Sequence, residues 1–142
     1  KKFFFGKEDN LQLTGSYKDR VKFRLAETYL LLAEAYLRQG LPDKAADAVN
    51  EVRRRAKTSD VSADDMDMDF LLDERIRELY GEESRRFTLI RTGELLNRVK
   101  KYNPEARNRI EDFHVLWPIP QAVRDANHGD FPQNPGYDGY VK

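Results

Sequence analysis

The sequence contains no cysteine, which excludes disulfide staples and thiolate chemistry and leaves the compartment open, since exported proteins can also lack it. It carries no net charge, with 25 basic residues against 25 acidic ones. A nucleic-acid binder needs a basic excess to displace counterions from phosphates, so that class is disfavoured. No apolar run approaches the roughly 18 residues a membrane-spanning helix requires. The opening Lys1-Lys2-Phe3-Phe4-Phe5-Gly6 starts like a secretory signal. Three phenylalanines followed by Gly6-Lys7-Glu8-Asp9 cannot supply its apolar core. Also missing are a glycine-rich phosphate loop, a nucleophile elbow and a Ser/His/Asp grouping.

What is present suits a helical packing module. The length of 142 residues is one domain's worth. A hydrophobic fraction of 39% argues against disorder, while 35% charged residues require each helix to keep a wet face. Between residues 20 and 39, Phe23, Ala26, Leu30, Ala33 and Leu37 recur at helical spacing and predict one buried stripe. Leu25, Tyr29, Leu32 and Tyr36 widen it, predicting burial on two sides. Gly40 suits a left-handed helix end, and Pro42 suits the first turn of a second helix reaching about Ala56. In that helix Ala45, Ala48, Val49, Val52 and Ala56 are expected to face inward.

The pair matches one tetratricopeptide-type unit, with Tyr29, Leu32, Ala33 and Tyr36 followed by Ala45 and Val49. Ala33 and Ala45 would permit close approach. A single unit of this type leaves a second face in need of a cover.

Residues 58–69 are polar and acidic, with Ser62 and Asp65 as an expected helix cap. A third helix is predicted to run to about Glu82. A fourth is predicted over Arg85–Lys101, with Gly93 as its weak point. Residues 102–142 hold five of the six prolines. Phe113–Trp117 reads as a short strand, residues 120–126 as one or two helical turns, and Asn134-Pro135-Gly136-Tyr137 as a type II turn. Phe113, Leu116, Trp117, Ile119, Phe131 and Tyr137 call for burial against the helices. The predicted fold class is thus mainly α, with tetratricopeptide-like helical hairpins and a Pro/Asn/Gly-rich C-terminal wrap. The layout is one domain over 1–142: an irregular lead-in (1–19), a hairpin (20–57), a second helical pair (62–101) and a wrapping tail (102–142).

Glu74, Glu78 and Glu82 follow one another at i, i+4, i+8, with Arg75 and Arg85 nearby. Paired carboxylates can perform glycosidase acid/base work. The favoured reading is an ion-pair lattice, each exposed pair worth about 0.3–0.5 kcal/mol. Asp65-x-Asp67-x-Asp69 begins like a calcium loop, but Phe70 and Ile76 stand where that loop needs Gly and Glu. His114 and His128 lack the spacing and partners of a metal pair. Trp117, Tyr102, Tyr137 and Tyr140 are candidates for stacking on sugars, with Trp117 read mainly as a packed anchor between Leu116 and Pro118. No catalytic residue, metal ligand or cofactor is expected, and no ligand-binding residue is assigned.

Three blocks in order carry a resemblance. They are Arg24-x-Ala26-Glu27-x-Tyr29-Leu30-x-x-Ala33-Glu34-Ala35, Glu74-Arg75-x-x-Glu78-Leu79-x-x-Glu82-x-x-Arg85, and the tail with Leu116-Trp117-Pro118-Ile119-Pro120, Asn127 and Gln133-Asn134-Pro135-Gly136-Tyr137. Together they resemble the C-terminal portion of the SusD/RagB family, over roughly residues 20–142. The chain departs from the family pattern at Glu83, where Gly is usual, and at Thr88, where Asp is usual. The resemblance implies a non-catalytic part of an outer-membrane, surface-exposed, glycan- or nutrient-binding lipoprotein of Bacteroidetes. Its implied partners are a SusC-like TonB-dependent transporter and a glycan, with no nucleic acid. Its only implied tie to the membrane is a lipid anchor outside this chain, which would make the chain an excised fragment. Glycan contacts in that family come largely from loops elsewhere. The alternative is a tetratricopeptide-like protein–protein interaction module, and a more distant option is a hydrolase built on Glu74 and Glu78.

Overall fold

The structure, a computed structural model, describes residues 22–138; the lead-in over 1–19 and Tyr140 lie outside them. Among the described residues every regular element is helical, so the fold is mainly α. Two compact units divide the chain, one ending at Glu83 and the other beginning at Ser84.

The first unit contains α1 (Leu25–Arg38), α2 (Pro42–Arg55) and α3 (Met68–Glu78). Gly40 ends α1 with a φ of +71°, and the Leu41 N–H returns to the Tyr36 carbonyl at 3.0 Å. That geometry satisfies carbonyls the helix would otherwise orphan. Pro42 opens α2, where its missing N–H costs nothing. The short turn folds α2 back on α1, and Ala33 and Ala45 are both fully buried in their shared core with Leu30 and Val49. Close helix approach is what two alanines permit. The tetratricopeptide likeness itself rests on the sequence pattern alone.

Several expectations for this unit need correction. Phe23 precedes α1 and is 85% exposed, and Leu25 is 68% exposed, so α1 buries one stripe and turns much of the other outward. Ala56 is exposed, because α2 ends one residue before it. Ser62 and Asp65 do bond each other, the hydroxyl donating at 2.7 Å. They close a turn in the loop, and Asp67 caps α3 instead by accepting from the Phe70 N–H at 2.7 Å. An Asp directly before the helix reaches the free N–H groups that Ser62, six positions upstream of Met68, cannot. The third helix stops at Glu78, not near Glu82, and Gly81 follows with a φ of +75°. Asn50, buried on α2, pins the connecting loop by bonding both the N–H and the carbonyl of Val61, at 2.8 and 3.0 Å.

The second unit contains α4 (Arg85–Thr92), α5 (Leu95–Tyr102), a 3-10 turn (Asp112–Val115) and α6 (Gln121–Asp125). The predicted fourth helix is broken at Gly93, whose φ is +81°. The predicted strand over Phe113–Trp117 is absent, replaced by the 3-10 turn. Pro118 and Pro120 have no N–H to donate to a ladder, so side chains take over the pairing. The Gln133 amide bonds both the N–H and the carbonyl of Ile119, at 2.7 and 2.9 Å. Asn134 donates to the Trp117 carbonyl at 2.7 Å, and the Tyr137 hydroxyl donates to that of Leu116 at 2.9 Å. The Leu-Trp-Pro-Ile-Pro block and the Gln-Asn-Pro-Gly-Tyr block are the two halves of one zipper. Of the apolar residues expected to be buried here, Phe113, Ile119 and Tyr137 are half-buried. Leu116, Trp117 and Phe131 stay 40% or more exposed.

Candidate functional site

The glutamates of α3 and the turn after it are held by arginines from the segment before α1, from α2 and from α3 itself. Glu74 accepts from Arg53 of α2 and from Arg77, each at 2.7 Å. Glu78 is shared by Arg24, just before α1, and Arg55, at the end of α2. Arg24 also reaches Glu82, and its remaining nitrogen caps the Glu78 carbonyl at 2.6 Å. Partial burial works against the Arg24 charge, but hydrogen bonds to Glu82 and Glu78 outweigh it and raise its pKa above the ordinary arginine value. The stability carried by that shift is present below the ordinary value and lost only as pH rises beyond it, far outside physiological conditions. The geometry is a lattice tying α3 to its neighbours, rather than a cleft with two facing acids.

Arg75 is the innermost member, 1% exposed. Its Nε donates to Glu83 at 2.7 Å, Glu27 lies 3.8 Å away, and Nη1 is buried with no hydrogen-bond partner. Glu83 is therefore the residue that neutralises a buried guanidinium. Arg53 and Arg77 also flank the Phe70 ring, 5.5 and 5.7 Å from its centre.

Described residues of this unit line open grooves on its surface. One, of about 540 Å³, is rimmed by Asp60, Asp65, Asp67, Asp69 and Asp73 around Phe70 and Val61. Among the described residues no group of three or more His, Cys, Asp or Glu is arranged to hold a metal ion. Another, of about 250 Å³, runs along the outer seam of α1 and α2, with Tyr29, Leu32 and Tyr36 on one wall and Lys44, Asp47, Ala48 and Glu51 on the other.

The remaining candidates fall in the second unit. His114 is committed to structure: its Nδ1 accepts from the Glu111 N–H at 2.9 Å and its ring stacks on Phe113. His128 is exposed. Trp117 is 54% exposed, which corrects its reading as a packed anchor. It is held through its face instead, the Arg86 guanidinium lying 4.3 Å from the ring centre while also donating to the His114 carbonyl. Tyr102 is flanked by Arg98 and Lys101 at 5.3 and 4.9 Å.

Sequence reasoning missed the clamp role of Arg24 and the groove wall of Lys44, Asp47 and Glu51. The only available signal for that wall was its spacing, which puts the three on one side of α2.

Comparison with known proteins gives a consistent result. The model of the SusD family matches residues 1–137. A SusD-like protein, P25, from Formosa agariphila is 36% identical over 128 residues, covering 84% of this chain and 24% of that protein. The starch-binding protein SusD of Bacteroides thetaiotaomicron is 37% identical over 126 residues, covering 81% of this chain and 21% of that protein. The chain thus spans about a quarter to a fifth of the length of these relatives. No solved structure matches it significantly. With nearly the whole chain matched by the family's model and both relatives more than a third identical over most of it, the chain belongs to the SusD family.

Proposed function

We propose that the chain is a C-terminal, non-catalytic portion of a surface lipoprotein that captures glycans and passes them to a SusC-like TonB-dependent transporter. The observation that carries this reading is the 37% identity to a protein named as starch-binding, over 81% of this chain. The α3 row supports a structural part, since Glu74, Glu78 and Glu82 are each engaged by arginine. Attachment would be through a lipid at the outer membrane. None of the helices among the described residues is long and apolar enough to cross a membrane.

One observation favours the second reading, a protein-interaction module. The outward stripe of α1, with Leu25 68% and Leu32 41% exposed, is suited to packing against another polypeptide.

Disrupting the gene in its source organism and growing the cells on a panel of polysaccharides tests the first reading. The expected result is a growth defect on one polysaccharide and normal growth on its monosaccharide. Unchanged growth on every polysaccharide would count against it. So would glycan cleavage by the purified chain that is abolished in Glu74→Gln.

A further inference from the structure

The groove along the outer seam of α1 and α2 has a composition that the charge lattice does not explain. Tyr29 and Tyr36 are half-buried and spaced two turns apart, so both rings border the same groove, with the apolar surface of Leu32 between them. Opposite them Lys44, Asp47 and Glu51 are exposed. The Lys44 ammonium lies 5.7 Å from the centre of the Tyr36 ring. Glu51 shares Arg54 with Asp60, at 3.0 and 2.6 Å, whereas Asp47 enters no ion pair among the described residues.

We infer that this groove is an accessory subsite for a neutral saccharide, an inference that rests on the glycan-capture reading above. Aromatic rings offer apolar faces to the C–H side of a pyranose, and flanking charged groups exchange hydrogen bonds with its hydroxyls. Lys44 supplies donors and Asp47 supplies acceptors. The charges of Lys44 and Asp47 cancel, and Arg54 offsets Glu51 only in part because it also binds Asp60 at 2.6 Å, so the groove has no surplus positive charge to recruit a uronate or a sulfate. Its small, open form suits one or two sugar units held weakly, in the millimolar range typical of few contacts.

The test is a two-dimensional NMR titration of the 142-residue chain with maltoheptaose, laminarihexaose and xylohexaose, with hexagalacturonate as the charged comparison. One neutral oligosaccharide should shift the amides around Tyr29–Tyr36 and Lys44–Glu51. Asp47→Ala, an exposed change, should weaken that binding at least about threefold and leave the melting temperature unchanged. Four results would overturn the subsite: no shifts there with any neutral sugar, shifts confined to another surface, full affinity in Asp47→Ala, or equal binding of hexagalacturonate. Concentration-dependent broadening of the same amides without sugar would assign the groove to a second copy of the chain, and would also overturn it. The growth experiment does not depend on this groove. A silent titration with a polysaccharide growth defect therefore removes the subsite alone, whereas normal growth on every polysaccharide removes the capture reading beneath it.

Discussion

Arg75→Ala should destabilise the first unit by about 3–5 kcal/mol, the usual penalty for removing one partner of a buried ion pair. Arg75 is 1% exposed and the side chain of its main partner, Glu83, is 6% exposed, so truncation removes the buried cation of a tightly enclosed ion pair. Thermal unfolding followed by circular dichroism should show a loss of roughly 10 °C or more. A second variant separates the charge from the packing. Arg75→Met with Glu83→Leu removes both charges together, and also removes the Nη1 donor that has no hydrogen-bond partner. That double variant should recover most of the loss, because a well-packed apolar replacement of a buried pair is often neutral or stabilising. A single Arg75→Ala variant that melts within about 2 °C of the parent chain would show that Glu83 is not dependent on this cation.

Gly136→Ala should disrupt the tail. Gly136 has a φ of +85°, and an added Cβ would sit 2.2 Å from Cγ of Phe113 and 2.6 Å from its Cβ. The left-handed conformation alone costs a non-glycine residue about 1–2 kcal/mol. Displacing Phe113 adds about 1–3 kcal/mol and breaks its stack on His114 and its edge contact with Tyr137. With Tyr137 displaced, its hydroxyl would lose the Leu116 carbonyl and the zipper would open from that end. The expected readout is hydrogen exchange. Amides from Phe113 to Tyr137 should lose protection, while those of α1 and α2 keep theirs. Unchanged protection of the Ile119 amide would contradict the zipper.

The hairpin of α1 and α2 was legible because its signals are local: small residues at helical spacing, a glycine stop and a proline start. The outward stripe of α1 was not, since periodicity marks which residues share a face and not whether anything covers it. The lattice was legible in kind, because glutamates at i and i+4 with arginines nearby are ordinary helix pairing. Its partners were not. Arg24, Arg53 and Arg55 lie more than 20 positions from the acids they bind, and no local pattern encodes those distances. The strand reading failed at Phe113–Trp117 because a short apolar run does not by itself distinguish a strand from a tight helical turn. The prolines beside that run removed a ladder's donors, and Gln133 and Asn134 supplied the bonds from side chains. Trp117 was misplaced for a related reason: Leu116 and Pro118 on either side suggested a packed anchor, but here a guanidinium covers its face. The groove wall at Lys44, Asp47 and Glu51 looked like the wet face of any amphipathic helix.

Crosslinking on intact cells tests the proposal that this chain works as part of a transporter-coupled glycan-capture protein. The gene would carry an affinity tag, the cells would be grown on the polysaccharide that requires it, and crosslinked partners would be identified by mass spectrometry. A TonB-dependent β-barrel transporter is expected as the dominant partner, with crosslinking lost when outer-membrane attachment is abolished. Recovery of a non-membrane protein as the dominant partner, with no β-barrel transporter, would contradict it.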